Sequence, residues 1–453
     1  MSADRSRLPA LGPRRTFVFP TIEKSALPNG LRVWVIRQAT VPVVTCFLLI
    51  RTGSADDSGG KDGLAALTVD MLDEGSGQRS AIDMHEALAR VGAQFDADVG
   101  YDGSALGITL LSRFVERGLM LVADMVSRPN LAEADFSRVR QLRLHRLTQL
   151  RDSPSAVADR AFVKLLYGDH AYGHMPIGTE RALAAMAVED VRDFQRIAMT
   201  PSRATLIVAG DCEHAEIHRI ATDAFSGWNS AADLRMTSHA ASPAPARLNV
   251  VPRPGAPQSE LRIGQIAAAR STPDYHALVA ANMVLGGQFV SRVNLNLRED
   301  KGLTYGVRTT LDLRRMPGPF VLQTSIETGA TARGIIESLG EIAAILGPRP
   351  ITEEELALGV ASLTRGYARN FETAEQIARA AVQMALYDLP DDYFAQYVSR
   401  MEAITPAETM AAAARHLDPA RLVTLVVGDF ERIARDLEAA GLGKPVLVQN
   451  PES

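Results

Sequence analysis

Residues 200–211 (TPSRATLIVAGD) and 418–429 (DPARLVTLVVGD) share one pattern: Pro, then Arg two residues on, an apolar run, and a Gly-Asp ending. The glycines of the two endings, Gly210 and Gly428, lie 218 residues apart. Each stretch reads as a strand bounded by turn residues, and recurrence at a fixed distance marks an internal duplication. The fold follows from asking what else keeps roughly that offset.

Upstream of the first copy, residues 31–37 (LRVWVIR) and 43–51 (VVTCFLLIR) are β-rich runs separated by turn residues, which predicts two consecutive strands. Ser80 is placed to cap a helix over AIDMHEALARV, and Gly92 stands where a left-handed closing residue is expected. Strands are predicted over 94–99 and 105–111, followed by a long helical stretch from Arg113 to about Phe194. The second half repeats this order. Pro129 before an acidic helix start is matched by Pro350 before TEEEL, and MLDEG ending at Gly75 by MVLGG ending at Gly287. Residues 230–257, rich in Ala, Pro and Ser, read as a linker running into an extended strand. Strands followed by helices and a closing strand predict an α+β class: two homologous domains, about 15–232 and 245–440, each a mainly antiparallel sheet covered by helices and facing the other.

A chain of 453 residues exceeds one ordinary core, in keeping with two units. With 48 basic and 53 acidic residues the formal charge is −5, so no global field draws the protein to nucleic acid or an anionic membrane. No apolar run approaches the ~20 residues that span a bilayer, and the first residues lack the apolar stretch of a secretory signal, so a cytoplasmic protein is expected. Cys46 and Cys212 are far apart and belong to no metal-ligand spacing. No phosphate-binding Gly-rich loop of recognised spacing occurs.

The order strand, strand, Gly63-Leu64-Ala65 helix, strand pair and long helices resembles the pitrilysin and insulinase metallopeptidases over nearly the whole chain. In that family the helix after Gly-Leu-Ala carries His-x-x-Glu-His, with a further Glu roughly 76 residues on. Imidazoles at i and i+4 share one helical face and can hold one zinc, while the Glu at i+3 takes a proton from metal-bound water. Here the ligand positions are Ala66 and Asp70, the base position is Val69, and the downstream position falls at His145 or Arg146. Ala and Val offer no donor, and a cation at Arg146 opposes a metal ion. No metal is therefore expected in this chain.

The second half keeps another block of the family, LGGQFVSRVNLNLREDKGLTYGV (285–307). It resembles the Gly-rich turn, helix and Arg-x6-Tyr element, here Arg298 and Tyr305, which in the family holds the substrate backbone near the scissile bond. Arg supplies a permanent planar donor array, and Tyr a hydroxyl that can support a developing oxyanion. An alternative is that Arg298 simply pairs with Glu299 or Asp300. Gly286 and Gly287 are expected either to form a turn that touches peptide or to close a helix. Residues 92–97 (GAQFDA) resemble the edge strand that pairs with substrate in active relatives.

Three other features have structural readings. His214 and His218 are spaced i, i+4, but Glu216 lies about 200° round the helix, so a solvated helix is expected. His170 and His174 fall in a Gly-containing loop, read as a turn before the helix start at Gly178-Thr179. Arg138, Arg140, Arg143 and Arg146 read as a charged helix face, not a nucleic-acid patch.

The resemblance thus implies a zinc-free partner subunit of a heterodimeric metallopeptidase. A homologous chain would supply zinc and the general base, and this one would grip peptide through Arg298 and Tyr305, with no activity alone. A catalytically inert structural subunit and a homodimeric peptide-binding chamber are the alternatives.

Overall fold

The computed structural model describes residues 18–57, 59–229, 246–438 and 440–449; residues 230–245 of the expected linker lie outside the described residues. The strands in chain order are β1 Glu23–Ala26, β2 Arg32–Arg37, β3 Val43–Ile50, β4 Gly75–Ser76, β5 Arg79–Ser80, β6 Gln94–Val99, β7 Ser104–Leu111, β8 Ala204–Gly210, β9 Leu248–Pro252, β10 Gln258–Ile266, β11 Val307–Leu311, β12 Pro319–Glu327, β13 Val423–Gly428 and β14 Val446–Leu447.

They form two six-stranded sheets, ordered β1-β2-β8-β3-β7-β6 and β14-β9-β13-β10-β12-β11, and a small β4-β5 hairpin. The sheets are copies of each other. β8 runs parallel to β2 and antiparallel to β3, just as β13 runs parallel to β9 and antiparallel to β10. The two repeated stretches that reveal the duplication are thus the same interior strand, fourth from the free edge in each sheet. Every residue of β8 and of β13 is buried, which is why both read as continuous apolar runs without alternation. The copies differ at one edge. β1 precedes β2 and pairs with it antiparallel, whereas β14 comes from the far C-terminus, beyond residue 440, and pairs with β9 in parallel.

The predicted helical stretch is divided into Val115–Ser127, Glu133–Arg151, Pro154–Tyr167, Glu180–Ala185 and Val188–Ala198. Ser80 caps its helix through the Asp83 backbone, and Gly92 has a φ of 62°, both as expected.

The halves exchange helices. Pro154–Tyr167, from the first half, packs on β10 and β13 of the second sheet, and its Val157, Ala158, Ala161 and Phe162 share a core with Val423, Leu425 and Val427. Ala374–Tyr387, from the second half, packs on β3 and β8 of the first sheet. Its buried Ala378, Ala381 and Ala385 fall at i, i+3 and i+7, a stripe of small side chains that lets the helix approach Ile36, Phe47 and Leu49 closely. Polar groups fix both exchanges: Arg51 Nε donates to the Ala385 carbonyl at 3.0 Å, and the buried Arg262 on β10 donates through Nε to Asp159 at 2.7 Å. Each sheet therefore has one face covered from the opposite half, and neither half's apolar surface is complete alone.

Candidate functional site

Ala66, Val69 and Asp70, the positions expected to align with the zinc motif, lie on the helix Leu64–Asp70. Its N-terminus is fixed by a buried carboxylate: Asp57 accepts from the backbone N–H groups of Gly63 and Ala65, each at 2.7 Å, and meets His174 Nε2 at 3.0 Å. Burial pushes the Asp57 carboxyl up, and the His174 imidazole, disfavoured by burial but bonded to Asp57, is held above its usual value. Gly63 is left-handed (φ 98°), and a Cβ there would stand 2.7 Å from the Gly178 Cα, so the glycine of Gly-Leu-Ala is a packing requirement.

Along this helix Ala66 and Val69 are buried and apolar, while Asp70 is half-buried. Its carboxylate is ion-paired with Arg143, whose other amino group donates to the Pro176 carbonyl at 3.2 Å. The cation opposing position 70 is therefore Arg143, one turn before the expected Arg146; His145 and Arg146 are exposed. A divalent ion does not fit this donor set, because its single carboxylate is already neutralised by a guanidinium. Among the described residues no group of three or more His, Cys, Asp or Glu side chains could hold a metal. The basic helix spends its charge internally: Arg138 pairs with Glu74, Arg143 with Asp70, and Arg140 donates to the Met186 carbonyl at 2.8 Å.

His214 and His218 are not merely solvated. Both point at Ser25 Oγ, at 3.1 and 2.9 Å, tying their helix to β1. His174, read as part of a turn, is a half-buried partner of the Asp57 carboxylate.

The second-half residues come together. Gly286, Gly287, Arg298 and Tyr305 line one open cleft of about 540 Å³ whose floor is the β10-β12-β11 face of the second sheet. Two π-helical turns, Met283–Gly287 and Leu295–Asp300, build its wall. Gly286 is buried, and an added Cβ would meet the Thr309 side chain at 2.5 Å, so this glycine seats the turn on β11. Neither Gly286 nor Gly287 has the positive φ of a left-handed closing glycine, although the helical run that starts at Tyr275 ends at Gly287. Gly287 is exposed on the cleft.

Arg298 stacks over the Phe289 ring, 4.4 Å to the centroid, and meets Glu299 Oε1 at 3.3 Å. The predicted pairing with Glu299 and the cleft position hold together, since one guanidinium does both. Tyr305 is 92% exposed, yet its backbone is pinned. Thr304 Oγ1 donates to the Ser325 carbonyl at 2.8 Å, and Val307 N–H donates to Asn294 Oδ1 at 3.2 Å. The loop holds its shape while the phenol projects free of hydrogen bonds among the described residues. Arg292 anchors the wall by donating to both Glu355 oxygens, at 2.7 and 2.6 Å, just before the turn carrying Arg298.

Sequence reasoning missed Arg143, Asp57, Phe289, Arg262 and Arg308 as parts of these sites. Phe289 sits within the 285–307 block that carries the resemblance. The edge strand expected at 92–97 is β6, outermost in the first sheet and paired only with β7.

Comparison with known proteins agrees with this architecture. Residues 32–180 match the family described as insulinase (peptidase family M16), and residues 185–363 match the peptidase M16 inactive domain. An uncharacterized zinc protease of Mycobacterium leprae (strain TN) is 26% identical over 359 residues, 77% of this chain and 79% of that one. Another from Bacillus subtilis (strain 168) is 24% identical over 338 residues, covering 74% of this chain and 81% of the relative. In fold, the chain is similar to a peptidase M16 inactive domain structure from Pseudomonas fluorescens (TM-score 0.84, 22% identity, 90% of this chain and 98% of that one). It is also similar to a protease from Helicobacter pylori (TM-score 0.82, 19% identity, covering 90% and 99%). The duplicated sheets, the Gly-Leu-Ala helix and the matches along both halves make this chain a member of the insulinase, or M16, peptidase family.

Proposed function

We propose that this chain is the zinc-free, peptide-holding subunit of a heterodimeric metalloendopeptidase, built of two homologous units at about 15–232 and 245–440. Arg298 and Tyr305 bind the substrate backbone, Tyr305 supports the developing oxyanion, and Gly287 lets peptide approach the turn. A homologous zinc-motif chain supplies the metal and the general base. The reading keeps a cytoplasmic setting, which rests on the sequence; among the described residues no helix is long and apolar enough to cross a membrane.

The observation carrying this reading is an asymmetry. Arg298, Tyr305 and Gly287 converge on one cleft, while the position that would bear metal holds an Arg143–Asp70 ion pair. A purely structural subunit would need neither the pinned Tyr305 loop nor an exposed phenol.

The test is to purify the native chain with whatever it binds, identify any zinc-motif polypeptide of similar size, and assay the separated and recombined subunits. Chelator-sensitive peptide cleavage only in the mixture is the expected result. Full cleavage by this chain alone, or a recombined complex indifferent to loss of both Arg298 and Tyr305, would remove the assignment.

A further inference from the structure

We infer that the cleft prefers peptides carrying a carboxylate beside the gripped backbone, and that Arg308 is the residue that sets this preference; the inference rests on the peptide-holding reading above. Arg308, Gln323 and Arg262 form one cross-strand row over β11, β12 and β10, with Arg308 opposite Gln323 and Gln323 opposite Arg262. All three line the cleft. They differ in what satisfies them.

Arg262 is buried and spends its donors on Asp159, Glu260 and Ser155. Arg298 has Glu299. Among the described residues Glu260 is the one carboxylate lining the cleft, and its oxygens are occupied by Arg262 and by the Ser325 hydroxyl. Arg308 is exposed and, among the described residues, has no carboxylate within ion-pair distance; with the Gln323 amide oriented so that its oxygen faces the guanidinium, Arg308 Nε and Nη2 both donate to that oxygen. That contact holds the guanidinium along the sheet face, three residues from Tyr305, and leaves its charge uncompensated. Counting Asp159 and Glu299, the charges around the cleft balance, so the preference is local to Arg308 and is not a long-range field. A carboxylate from an Asp or Glu side chain, or from a peptide C-terminus, can take a planar two-donor contact there.

The experiment uses the full chain and capped pentapeptides, Ala-Ala-X-Ala-Ala, with X as Glu, Gln or Lys, plus the Gln peptide with a free C-terminus. Dissociation constants come from broadening of the peptide NMR signals. The Glu peptide is expected to bind roughly 5-fold tighter than the Gln peptide at low ionic strength, with the gap closing in high salt, as for a solvent-accessible ion pair. Arg308→Gln should bring the Glu-to-Gln ratio to about one, and Arg308→Lys should restore part of it. Preference for the free C-terminus but not for Glu would assign the carboxylate to the chain end. Equal binding of all four peptides by the wild type, or a preference surviving in Arg308→Gln of unchanged melting temperature, overturns the inference while leaving peptide holding intact. Binding of none of them would overturn the peptide-holding reading and this inference with it.

Discussion

Arg143 is ion-paired with Asp70, 73 residues away in sequence and the only acidic side chain among the three zinc-motif positions of the helix Leu64–Asp70. A cation fixed at that point would oppose a metal ion there over and above the absence of ligands. Two unit charges about 4 Å apart at an effective dielectric of ~20 interact by about 4 kcal/mol, and a divalent ion would feel more.

Restoring the motif therefore requires a change at residue 143. Ala66→His, Val69→Glu and Asp70→His together should leave zinc affinity weak. Adding Arg143→Glu, which removes the cation and supplies the third donor, should raise affinity by at least about 100-fold. Competition with a chromogenic chelator checks it. Equal affinity of the triple and quadruple variants would show that Arg143 does not guard the position.

Tyr305 allows function to be separated from stability. It is 92% exposed and makes no side-chain hydrogen bond among the described residues, so Tyr305→Phe should shift folding stability by no more than about 0.5 kcal/mol. In the recombined peptidase the same variant should lower kcat by roughly 100-fold, the scale of one lost oxyanion donor. Thermal melts and steady-state kinetics on one preparation decide it. A large fall in stability would mean the phenol is a packing residue.

The duplication was legible because β8 and β13 are buried on both faces, and such strands leave uninterrupted apolar runs. The exchange of Pro154–Tyr167 and Ala374–Tyr387 was not legible. An amphipathic helix declares that it has a buried face, but not which sheet receives it. β14 has two residues and no pattern to read. Within the sites, Arg298, Tyr305 and Gly287 could be singled out because one contiguous block carries them. The opposing residue was expected at His145 or Arg146 instead of Arg143 because a residue count across two helices and two strand pairs does not fix which turn faces Asp70. Asp57 and His174, 117 residues apart, meet only through tertiary packing.

Gly286 should tolerate no side chain. An added Cβ would lie 2.5 Å from Thr309 Oγ1 and 2.7 Å from the Thr309 backbone nitrogen, so relief would have to come from β11 itself. Gly286→Ala is expected to destabilise the protein by about 1–3 kcal/mol and to weaken peptide binding by moving the wall of the cleft. Gly287→Ala would meet the Asn282 side-chain nitrogen at 2.9 Å and the Asn282 carbonyl oxygen at 3.0 Å, looser contacts than those at Gly286, and should be milder. Urea midpoints of the two variants test the ranking, which an equal or reversed order would refute.

The ion pair behind the cleft should give stability a pH dependence. Arg292 is buried, and its two hydrogen bonds hold the Glu355 carboxyl down to about 2 from an ordinary 4.5, with the Thr352 backbone adding to the effect. A carboxyl whose folded value is depressed stabilises the native state fully above its unfolded value, and loses that contribution as pH falls through 4.5 towards about 2. At pH 7, Glu355→Gln should destabilise the protein by about 2 kcal/mol, allowing for the solvent that reaches this carboxylate and for the guanidinium left short of a partner. Between pH 6 and pH 5 the gap from wild type should stay constant, and below 4.5 it should narrow. Urea midpoints of both proteins at each pH provide the check; a gap that widens on acidification would mean that Glu355 does not carry the charge that anchors Arg292 and the turn bearing Arg298.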